Sequence, residues 1–592
     1  MRVRAVPLVL GACGAFYAVF IARTAFSFEG RTYFALFDDG MISMGYGRSL
    51  AEGHGLTWPG AGHVEGYTNF LWTLWMAVVH LLPISPAKTS LVIMLTGAAL
   101  LIGTMLIVRA ICLRLQPERP LLAVVAMLLT GLFYPLVYWS LRGMEVSLAA
   151  LLVTAAVLLA LRLEEAPRPR IAWALAGCIG LAVLTRDDLL LPCLVVAAYA
   201  VWVAAPAARR RVALILGGTL VGVVGGHIAF RLAYYGDALP NTYYLKLTGI
   251  PIEERLRRGG TALAYTWLFT LFVPMLLAGG YIASRRRSLP RGAVLLAAIV
   301  VVQSAYSLYV GGDAWEIIGF ANRYVTTAAP LLMVLVALGL GELLSSRGRR
   351  LAPWLAGAFV AMAIVVSHDW LPLIRLELSP TQGLRPGSIA LAVAGAVLVL
   401  AIGRLRPGAA GAALAIALAA LVLVQVDHKP AGDWVRDNAV GINLDAYFAR
   451  VGVLLREGTR PGTRIAVVPA GNTPYFADRP AIDMLGKMDR VIARRPPRGP
   501  LKPGHNKWDY GYSIGRLRPD VIALLWFATP AELCRIQGWG YRRLVHEFFV
   551  RNGSPGVNAD LLRRRLGALV TTGAPTPLPP TPAHCQAVGA PE

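Results

Sequence analysis

Residues 91–109 read LVIMLTGAALLIGTMLIVR, and no charged side chain interrupts this run before Arg109. A run of this length is enough for an α-helix to cross the roughly 30 Å hydrocarbon core of a bilayer. The composition of the whole chain agrees, because 56% of its 592 residues are hydrophobic, 15% are charged and the mean hydropathy is +0.58. The sequence therefore predicts an integral membrane protein.

Similar apolar runs recur along the chain, and we predict about thirteen transmembrane helices in total. They are Ala5–Ala25, Leu91–Arg109, Pro120–Trp139, Val146–Arg162, Ile171–Thr185, Leu189–Ala205, Val212–Tyr234, Ala262–Ser284, Ala293–Val310, Tyr324–Glu342, Leu351–Leu371, Ser388–Gly403 and Gly411–Val426. The first run is long, lacks a clear small-residue cleavage site and precedes further spans. We therefore interpret it as a retained anchor rather than a signal peptide.

One more apolar run, Asn69–Ile84, is short, rich in tryptophan and closed by prolines. If it is an interfacial or re-entrant helix rather than a span, every dense arginine cluster of the membrane part lies on the cytoplasmic side, as the positive-inside rule requires. The polar motifs then all lie on the outer side, in one layer. These motifs are Asp38-Asp39, Val64–Asn69, Arg142–Glu145, Arg186–Asp188, Tyr234–Lys246 and Gly311–Tyr324.

The composition changes after Val426. We predict a membrane domain over residues 1–426, whose first external loop is about 26–90, and an external α/β domain over 427–570. Residues 571–592 are rich in Pro, Ala and Thr and predict an extended or disordered tail. Cys534 and Cys585 are expected to pair if this region faces an oxidising compartment. The net charge of +24 does not indicate nucleic-acid binding, because the arginines fall in short separate clusters.

Two adjacent carboxylates, Asp38 and Asp39, follow the first predicted span. Removing carboxylates from water is costly unless a cation, a metal or a substrate proton is nearby, so the pair marks a candidate reaction centre. A simpler interpretation is that the pair caps a helix that continues to Gly53. A cap needs only one acid, and we favour catalysis or metal binding. A divalent cation held by the pair is the one cofactor that the pattern suggests, although two adjacent carboxylates do not establish a metal.

The first loop resembles that of the GT-C membrane glycosyltransferases, and most closely that of the AftB family of mycobacterial terminal β-(1→2)-arabinofuranosyltransferases. The resemblance rests on Asp38-Asp39-Gly40, Arg48–Gly55 and His63–Asn69, and it continues through Gly143-Met-Glu145, Leu184-Thr-Arg186, Tyr234-Tyr-Gly236, Gly311-Gly-Asp313 and Gly504-His505. It covers nearly the whole chain. Asp187-Asp188 and Asn69-Phe70-Leu71 depart from the family's pattern.

This resemblance implies an α-helical GT-C protein of the bacterial cytoplasmic membrane, with its active site and C-terminal domain outside. The implied reaction is inverting transfer of a sugar from a polyprenyl-phosphate donor, here arabinofuranose, to a cell-envelope glycan. No nucleotide site is expected, and the sequence has neither a phosphate loop nor a Rossmann fingerprint. Asp38, the first acid of the pair, is our first choice of base, with Asp39 as its companion.

The resemblance also implies basic residues at the donor phosphate, for which we name Lys246, Arg323, Arg186 and Arg142. Anchoring to anionic lipid headgroups is the alternative role for such residues. For the sugar and acceptor we name Glu65, Tyr67, Asn69, Glu145, Tyr243, Tyr244, Asp313, Trp315, His505 and Lys507. The aromatic members could instead form an interfacial belt, and the acids could pair with Arg142 or Arg186.

Two other interpretations stay open. A transporter or flippase of lipid-linked sugars would place polar residues near span centres, and an inactive envelope scaffold would use only the C-terminal domain. Residues 487–490 are interpreted as an ordinary salt-bridged surface.

Overall fold

The computed structural model of the protein describes residues 5–316, 322–345, 347–367, 385–404, 417–418, 420–422, 434–439 and 441–570. The helices of the N-terminal part are α1 (Ala5–Arg23), α2 (Asp38–Ala51), α3 (Phe70–His80), α4 (Pro86–Leu115), α5 (Pro120–Leu132), α6 (Tyr134–Leu141), α7 (Val146–Glu165), α8 (Pro169–Thr185), α9 (Leu190–Val203), α10 (Pro206–Tyr234), α11 (Asn241–Leu247), α12 (Ile252–Tyr265), α13 (Phe272–Arg285), α14 (Arg291–Tyr309), α15 (Arg323–Leu343), α16 (Gly348–Ser367) and α17 (Arg385–Arg404). A small hairpin, β1 (Phe26–Phe28) and β2 (Arg31–Tyr33), follows α1.

The chain is a multi-pass membrane protein. Within the described residues, six helices are long and apolar enough to cross a bilayer, namely α1, α4, α7, α10, α14 and α15, and the bent pairs α5–α6 and α12–α13 raise that number to eight. The predicted total of thirteen stays a prediction. Of the predicted run Gly411–Val426, only residues 417–418 and 420–422 are described.

The helix α15 is the centre of the membrane part. Every one of its residues from Arg323 to Leu343 is buried, and it packs against α4, α5, α7, α13 and α14. A helix that is hydrophobic on all sides must be enclosed on all sides. Its N-terminus, and therefore Arg323, is held at a fixed point among the surrounding helix ends.

The loop of residues 26–90, predicted to be external, contains the packed helices α2 and α3, which run in the same direction, since Ser43 contacts Asn69 and Gly47 approaches Ala77. The run predicted to be interfacial or re-entrant forms α3, whose eleven residues extend about 17 Å, too short for the hydrocarbon core. The two helices approach closely at Gly47, where an added Cβ would lie 2.9 Å from the backbone nitrogen of Ala77. This close packing fixes α2, which carries Asp38 and Asp39 in its first turn.

The C-terminal part forms a mixed five-stranded sheet with helices on it, in agreement with the predicted α/β region. Its elements are α18 (Ile442–Gly458), β3 (Ile465–Val467), α19 (Asn472–Ala477), β4 (Ala481–Asp483), α20 (Arg490–Ala493), β5 (Val521–Ile522), α21 (Pro530–Gly538), β6 (Tyr541–Val545), β7 (Phe548–Arg551) and α22 (Ala559–Val570). The strand order is β4-β3-β5-β7-β6, with β3 parallel to β4 and β5 and with β7 antiparallel to β5 and β6.

The sheet lies against the first external loop. The backbone N–H of Ala481 in β4 donates to the carbonyl of Pro59, and Trp58 Nε1 donates to the carbonyl of Ala470. Cys534 is disulfide-bonded. Its expected partner Cys585 and the predicted tail 571–592 lie outside the described residues.

Replacing Gly47 with alanine is expected to destabilise the protein, whereas the same change at Gly11 in α1 is not. A Cβ at Gly47 overlaps the α3 backbone, which costs about 1–3 kcal/mol, but a Cβ at Gly11 meets no atom within 4 Å. At Gly11 the better helix propensity of alanine is worth up to about 1 kcal/mol. Thermal unfolding of the detergent-solubilised variants measures both effects. Equal melting temperatures for the two variants would contradict this packing of α2 on α3.

Candidate active site

A polar cavity of about 70 Å³ lies where the first external loop, the helix ends and the C-terminal domain meet. Its titratable wall residues come from both parts of the chain, and they are Asp39, Glu145, Arg186, Lys246, Asp313, Arg323, Lys487 and His505. Tyr67, Asn69 and Trp315 also line it. The cavity is small, and most of its charged side chains are paired with one another.

Arg323 is at the centre of this cavity. Asn322 caps α15 by accepting a hydrogen bond from the Tyr324 N–H at 2.9 Å, which fixes the start of the helix. The Arg323 guanidinium donates to both oxygens of Asp313 at 2.7 and 2.9 Å and to Asp39 Oδ2 at 3.3 Å. One buried cation thus holds two carboxylates that are 274 residues apart in the sequence.

Asp313 reaches Arg323 because the chain turns sharply before it. Gly311 and Gly312 have φ values of +85° and +80°, which glycine adopts without a steric penalty. A side chain at Gly312 would also meet Glu316. The two glycines therefore bring Asp313 to the Arg323 side chain at the start of α15.

Asp39 has a second cation partner, Lys487, in the loop after β4. Lys487 Nζ donates to Asp39 Oδ1 at 2.6 Å. Burial alone would raise the pKa of Asp39, but Lys487, then Arg323 and His505, lower it to well below its usual range. The interpretation of residues 487–490 as ordinary surface is therefore wrong for Lys487, whose side chain is 13% exposed and ion-paired in the cavity.

Asp38 faces away from this cavity. It accepts hydrogen bonds from the backbone N–H groups of Gly471, at 3.2 Å, and Asn472, at 2.7 Å, where α19 begins. Burial raises the pKa of Asp38 to about 6, although Lys487 and these N–H groups act in the opposite direction. The interpretation that the pair caps its own helix is wrong, because α2 has no side-chain cap; Asp38 instead accepts hydrogen bonds at the start of α19 in the C-terminal domain. Asp39, rather than our first choice Asp38, is the acid of the cavity wall.

Glu145 and Arg186 form the second charged pair of the wall. Arg186 Nη1 contacts Glu145 Oε1 at 2.5 Å and Arg186 Nε contacts Asp188 Oδ1 at 2.8 Å. Asn69 donates to the other Glu145 oxygen at 2.8 Å. Glu145 is therefore ion-paired with Arg186, which is the alternative role that the sequence left open. Both residues also line the cavity.

Two predicted residues are in buried ion pairs outside the cavity wall. Arg142, named for the donor phosphate, contacts Asp445 in α18 and donates to the carbonyl of Ala35. Glu65, named for the sugar, accepts two hydrogen bonds from Arg231 of α10 at 2.8 and 3.0 Å. Their burial requires charge neutralisation, and the structure places both outside the cavity rather than at a donor phosphate or sugar.

Two further residues that were named for the sugar or acceptor also lie outside the cavity wall. Lys507, expected at the acceptor, is fully buried, and its Nζ donates to the carbonyls of Tyr244, Thr248 and Ala493 at 2.8–3.1 Å. All three of its ammonium protons are used in this way. The ring of Tyr244 packs under the guanidinium of Arg494 at 4.1 Å and is not part of the cavity wall. His505 lines the cavity, and burial lowers its pKa to about 3.

An apolar groove of about 610 Å³ adjoins the cavity. It lies between α9, α11 and α14, and its apolar lining includes Leu190, Leu191, Leu247, Val302 and Val310. The groove and the cavity share the wall residues Thr68, Arg186, Thr242, Lys246 and Tyr324. Tyr243, predicted to contact sugar, lines the groove instead.

The Asp38-Asp39 pair does not fit a divalent cation in this arrangement. Both oxygens of Asp39 accept from Lys487 and Arg323, and Asp38 faces backbone N–H groups. Across the part of the chain that the structure describes, no three His, Cys, Asp or Glu side chains are grouped to ligate a metal. We assign no chemistry of this site to a metal.

Sequence reasoning did not find Lys487, Arg231 and Asp445. Lys487 is 448 residues from Asp39, so no local pattern connects them. One signal was available, because the loops after parallel strands carry the functional residues of α/β sheets. Gly471 follows β3 and Lys487 follows β4, although only β3, within Arg464–Val468, stood out in the sequence as a strand-like run.

The two acids of the pair are expected to respond oppositely to replacement by asparagine. The raised pKa of Asp38 means that the folded state binds more protons between about pH 4 and 6, so its ionisation costs stability as the pH rises through that range. At pH 8 Asp38→Asn relieves a cost on the order of 3 kcal/mol. The lowered pKa of Asp39 means that its ion pairs stabilise the fold above pH 4, and Asp39→Asn removes that stabilisation.

Melting temperatures of both variants and the parent between pH 5 and 8 measure this difference. We expect Asp38→Asn to gain stability relative to the parent as the pH rises through 6, and Asp39→Asn to be less stable at every pH. A less stable Asp38→Asn than Asp39→Asn at pH 8 would contradict the assigned surroundings of the two acids.

Comparison with solved structures identifies proteins of similar fold. The structure is similar to the crystal structure of ArnT from Cupriavidus metallidurans bound to undecaprenyl phosphate, with a TM-score of 0.53 and 13% identity over 82% of this chain and 86% of that chain. The apo state of the same ArnT gives a TM-score of 0.46 and 15% identity over 77% and 82% of the two chains. The archaeal oligosaccharyltransferase AglB from Archaeoglobus fulgidus, in complex with an inhibitory peptide and a dolichol-phosphate, gives 0.41 and 13% over 80% and 64%.

Residues 436–558 match a family model described as a domain of unknown function (DUF8728). No curated protein matches the sequence. The similarity to ArnT shows a shared fold and agrees with the prediction of a helical membrane domain followed by a C-terminal α/β region.

Proposed function

We propose that the protein is a GT-C glycosyltransferase that transfers a sugar from a polyprenyl-phosphate donor to a glycan acceptor. The observation that carries this proposal is the junction of the apolar groove with the charged cavity. An amphipathic lipid phosphate needs both environments side by side. Its chain requires an apolar surface within the membrane, and its phosphate requires cations at the end of that surface.

Lys246 is the residue that connects the two environments. It lines both the cavity and the groove, and its ammonium makes no hydrogen bond or ion pair with any described residue. Arg186, the other cation of the shared wall, is already paired with Glu145 and Asp188. A donor phosphate at the junction would therefore gain Lys246 as an unengaged counter-ion, with Arg323 and Lys487 further inside the cavity.

Asp39 is the base in this proposal. Its carboxylate accepts the proton of the acceptor hydroxyl, whose oxygen forms the new bond to the anomeric carbon. The bond from that carbon to the phosphate oxygen breaks, and the phosphate leaves with the electron pair. Attack from the face opposite the leaving phosphate inverts the anomeric centre. General-base catalysis of this kind contributes about 10²–10⁴ in rate.

The low pKa of Asp39 makes it a weak base while Lys487 is bound to it. A donor phosphate in the cavity competes for the Lys487 ammonium, because a phosphate is a strong acceptor of charge-assisted hydrogen bonds. Transfer of Lys487 from Asp39 to the phosphate raises the basicity of Asp39 and neutralises the leaving group together. It also opens the small cavity at the point where the sugar enters.

The finer parts of the proposal are arabinofuranose as the sugar, a cell-envelope glycan as the acceptor, and the outer side of the cytoplasmic membrane as the location. They are supported by the resemblance of the external-loop motifs and by the positive-inside arrangement. A transporter would place its charges near span centres. Here Asp39 is in the first turn of α2, Arg323 begins α15 and Arg186 directly follows α8, which supports a transferase.

The test is a transfer assay with the purified protein in lipid nanodiscs. Decaprenyl-phospho-arabinofuranose and other polyprenyl-phospho-sugars serve as donors, with an arabinan oligosaccharide as acceptor. We expect Asp39→Asn to lower kcat by about 10²-fold or more and Asp38→Asn to retain most of the activity. Lys487→Met is expected to raise the donor KM, because it removes a phosphate ligand.

Lys88→Met is the matched control for Lys487→Met, since Lys88 is exposed at the start of α4. It should leave kcat and the donor KM unchanged. Undiminished transfer by Asp39→Asn would remove Asp39 from the mechanism. The absence of transfer from every polyprenyl-phospho-sugar would contradict the proposed function.

A further inference from the structure

A second cavity, of about 380 Å³, lies within the C-terminal domain. The residues around it include two tryptophans, three arginines and two acids, and they are Trp508, Trp539, Arg495, Arg498, Arg535, Asp509 and Glu532. None of them lines the transfer cavity or the apolar groove. Flat aromatic rings together with fixed polar groups are typical of a ligand site rather than of an ordinary protein surface.

The acids of this cavity are held in place by the protein. Asp509 contacts Arg495 at 2.9 Å and accepts from the Tyr512 N–H at 3.1 Å. Glu532 contacts Arg498 at 3.1 Å and completes the capping box of α21 with Thr529. Within each pair the positive and negative charges neutralise one another, and the paired side chains remain as fixed donors and acceptors on the cavity wall.

Two other polar groups of the cavity are not satisfied by the protein. Trp508 Nε1 is buried and has no hydrogen-bond partner among the described residues. Arg535 forms no ion pair or hydrogen bond through its side chain within the same part of the chain. Leaving the buried Trp508 Nε1 without a partner costs free energy that a ligand oxygen can recover, whereas the exposed Arg535 is free to donate to a ligand or to water.

A single loop connects the second cavity with the transfer cavity. Pro503, Gly504 and His505 line the transfer cavity, and Trp508 and Asp509 line the second one. The Cα atoms of His505 and Trp508 are at most about 11 Å apart, because three residues extend no further. The carbonyl of His505 also accepts from Trp526 Nε1 at 3.0 Å, which fixes the loop between the two cavities.

We propose that the second cavity binds an oligosaccharide segment of the acceptor glycan, away from the sugar that is being extended. This inference rests on the proposed function, because it gives a place to the acceptor of that reaction. The Arg498 guanidinium lies over the Trp508 ring at 4.8 Å, so the neutralised ion pairs and the unpartnered Trp508 Nε1 are the groups that suit the hydroxyl groups of uncharged sugars. The alternative occupant is an anion, for which the charges of the wall are less suited, because two of its three arginines are already paired with acids.

The experiment measures direct binding of oligosaccharides by the full-length protein in nanodiscs, separately from transfer. The probes are a linear arabinofuranosyl hexasaccharide, the corresponding disaccharide, a linear mannosyl hexasaccharide and inorganic phosphate. We expect binding of a hexasaccharide that weakens about tenfold in Trp508→Ala and in Arg535→Ala, which corresponds to about 1.4 kcal/mol. Arg535 is exposed on α21, so its replacement leaves the fold intact.

Matched controls are Phe527→Ala, an aromatic residue that is 72% exposed and outside the cavity, and Arg563→Ala on α22. Both should bind the hexasaccharide as the parent does. In the transfer assay, the two cavity variants should raise KM for the hexasaccharide acceptor by a larger factor than KM for the disaccharide acceptor.

The binding and transfer measurements separate the two proposals. Loss of hexasaccharide binding in the cavity variants supports the glycan site, and it does so whether or not the tested donors support transfer. Binding that is unchanged in both variants, no binding of any oligosaccharide, or preferential binding of inorganic phosphate would overturn it. Absence of transfer together with cavity-dependent glycan binding would overturn the proposed reaction while retaining a glycan-binding protein.

Discussion

The structure depends on the neutralisation of buried charge around Arg323. A guanidinium at the start of a wholly buried helix cannot be left without counter-charges, because an unpaired charge in a low-dielectric interior costs several kcal/mol. Asp313 supplies one counter-charge bidentately and Asp39 supplies another. Asp39 in turn holds Lys487, so this one requirement joins the central membrane helix, the first external loop and the C-terminal domain.

The C-terminal domain is consequently part of the candidate active site rather than an appendage to it. It contributes Lys487 and His505 to the cavity wall. Asp38 caps the N-terminus of its helix α19, and its Asp445 neutralises Arg142. In each case a residue of the first 426 positions has its partner beyond residue 440. The two acids of the pair therefore have different surroundings: Asp38 binds the C-terminal domain, and Asp39 faces the cavity.

The sequence predicted the membrane class, the short helix at α3, the C-terminal α/β region and most of the charged residues of the cavity wall. These succeeded because apolar run lengths, strand patterning and polar motifs at helix ends are local signals. It misplaced Arg142, Glu65 and Lys507, and it chose Asp38 over Asp39. Those residues are decided by partners such as Asp445 and Arg231, whose positions depend on tertiary packing and leave no local pattern. Lys487 was missed for the same reason.

The most direct test of the account is a structure of the full-length protein in nanodiscs with bound polyprenyl phosphate. The account predicts the lipid chain in the groove between α9, α11 and α14, the phosphate within hydrogen-bond distance of Lys246 and Lys487, and a broken contact between Lys487 and Asp39. A phosphate bound elsewhere, or a phosphate in the cavity with Lys487 still on Asp39, would contradict it.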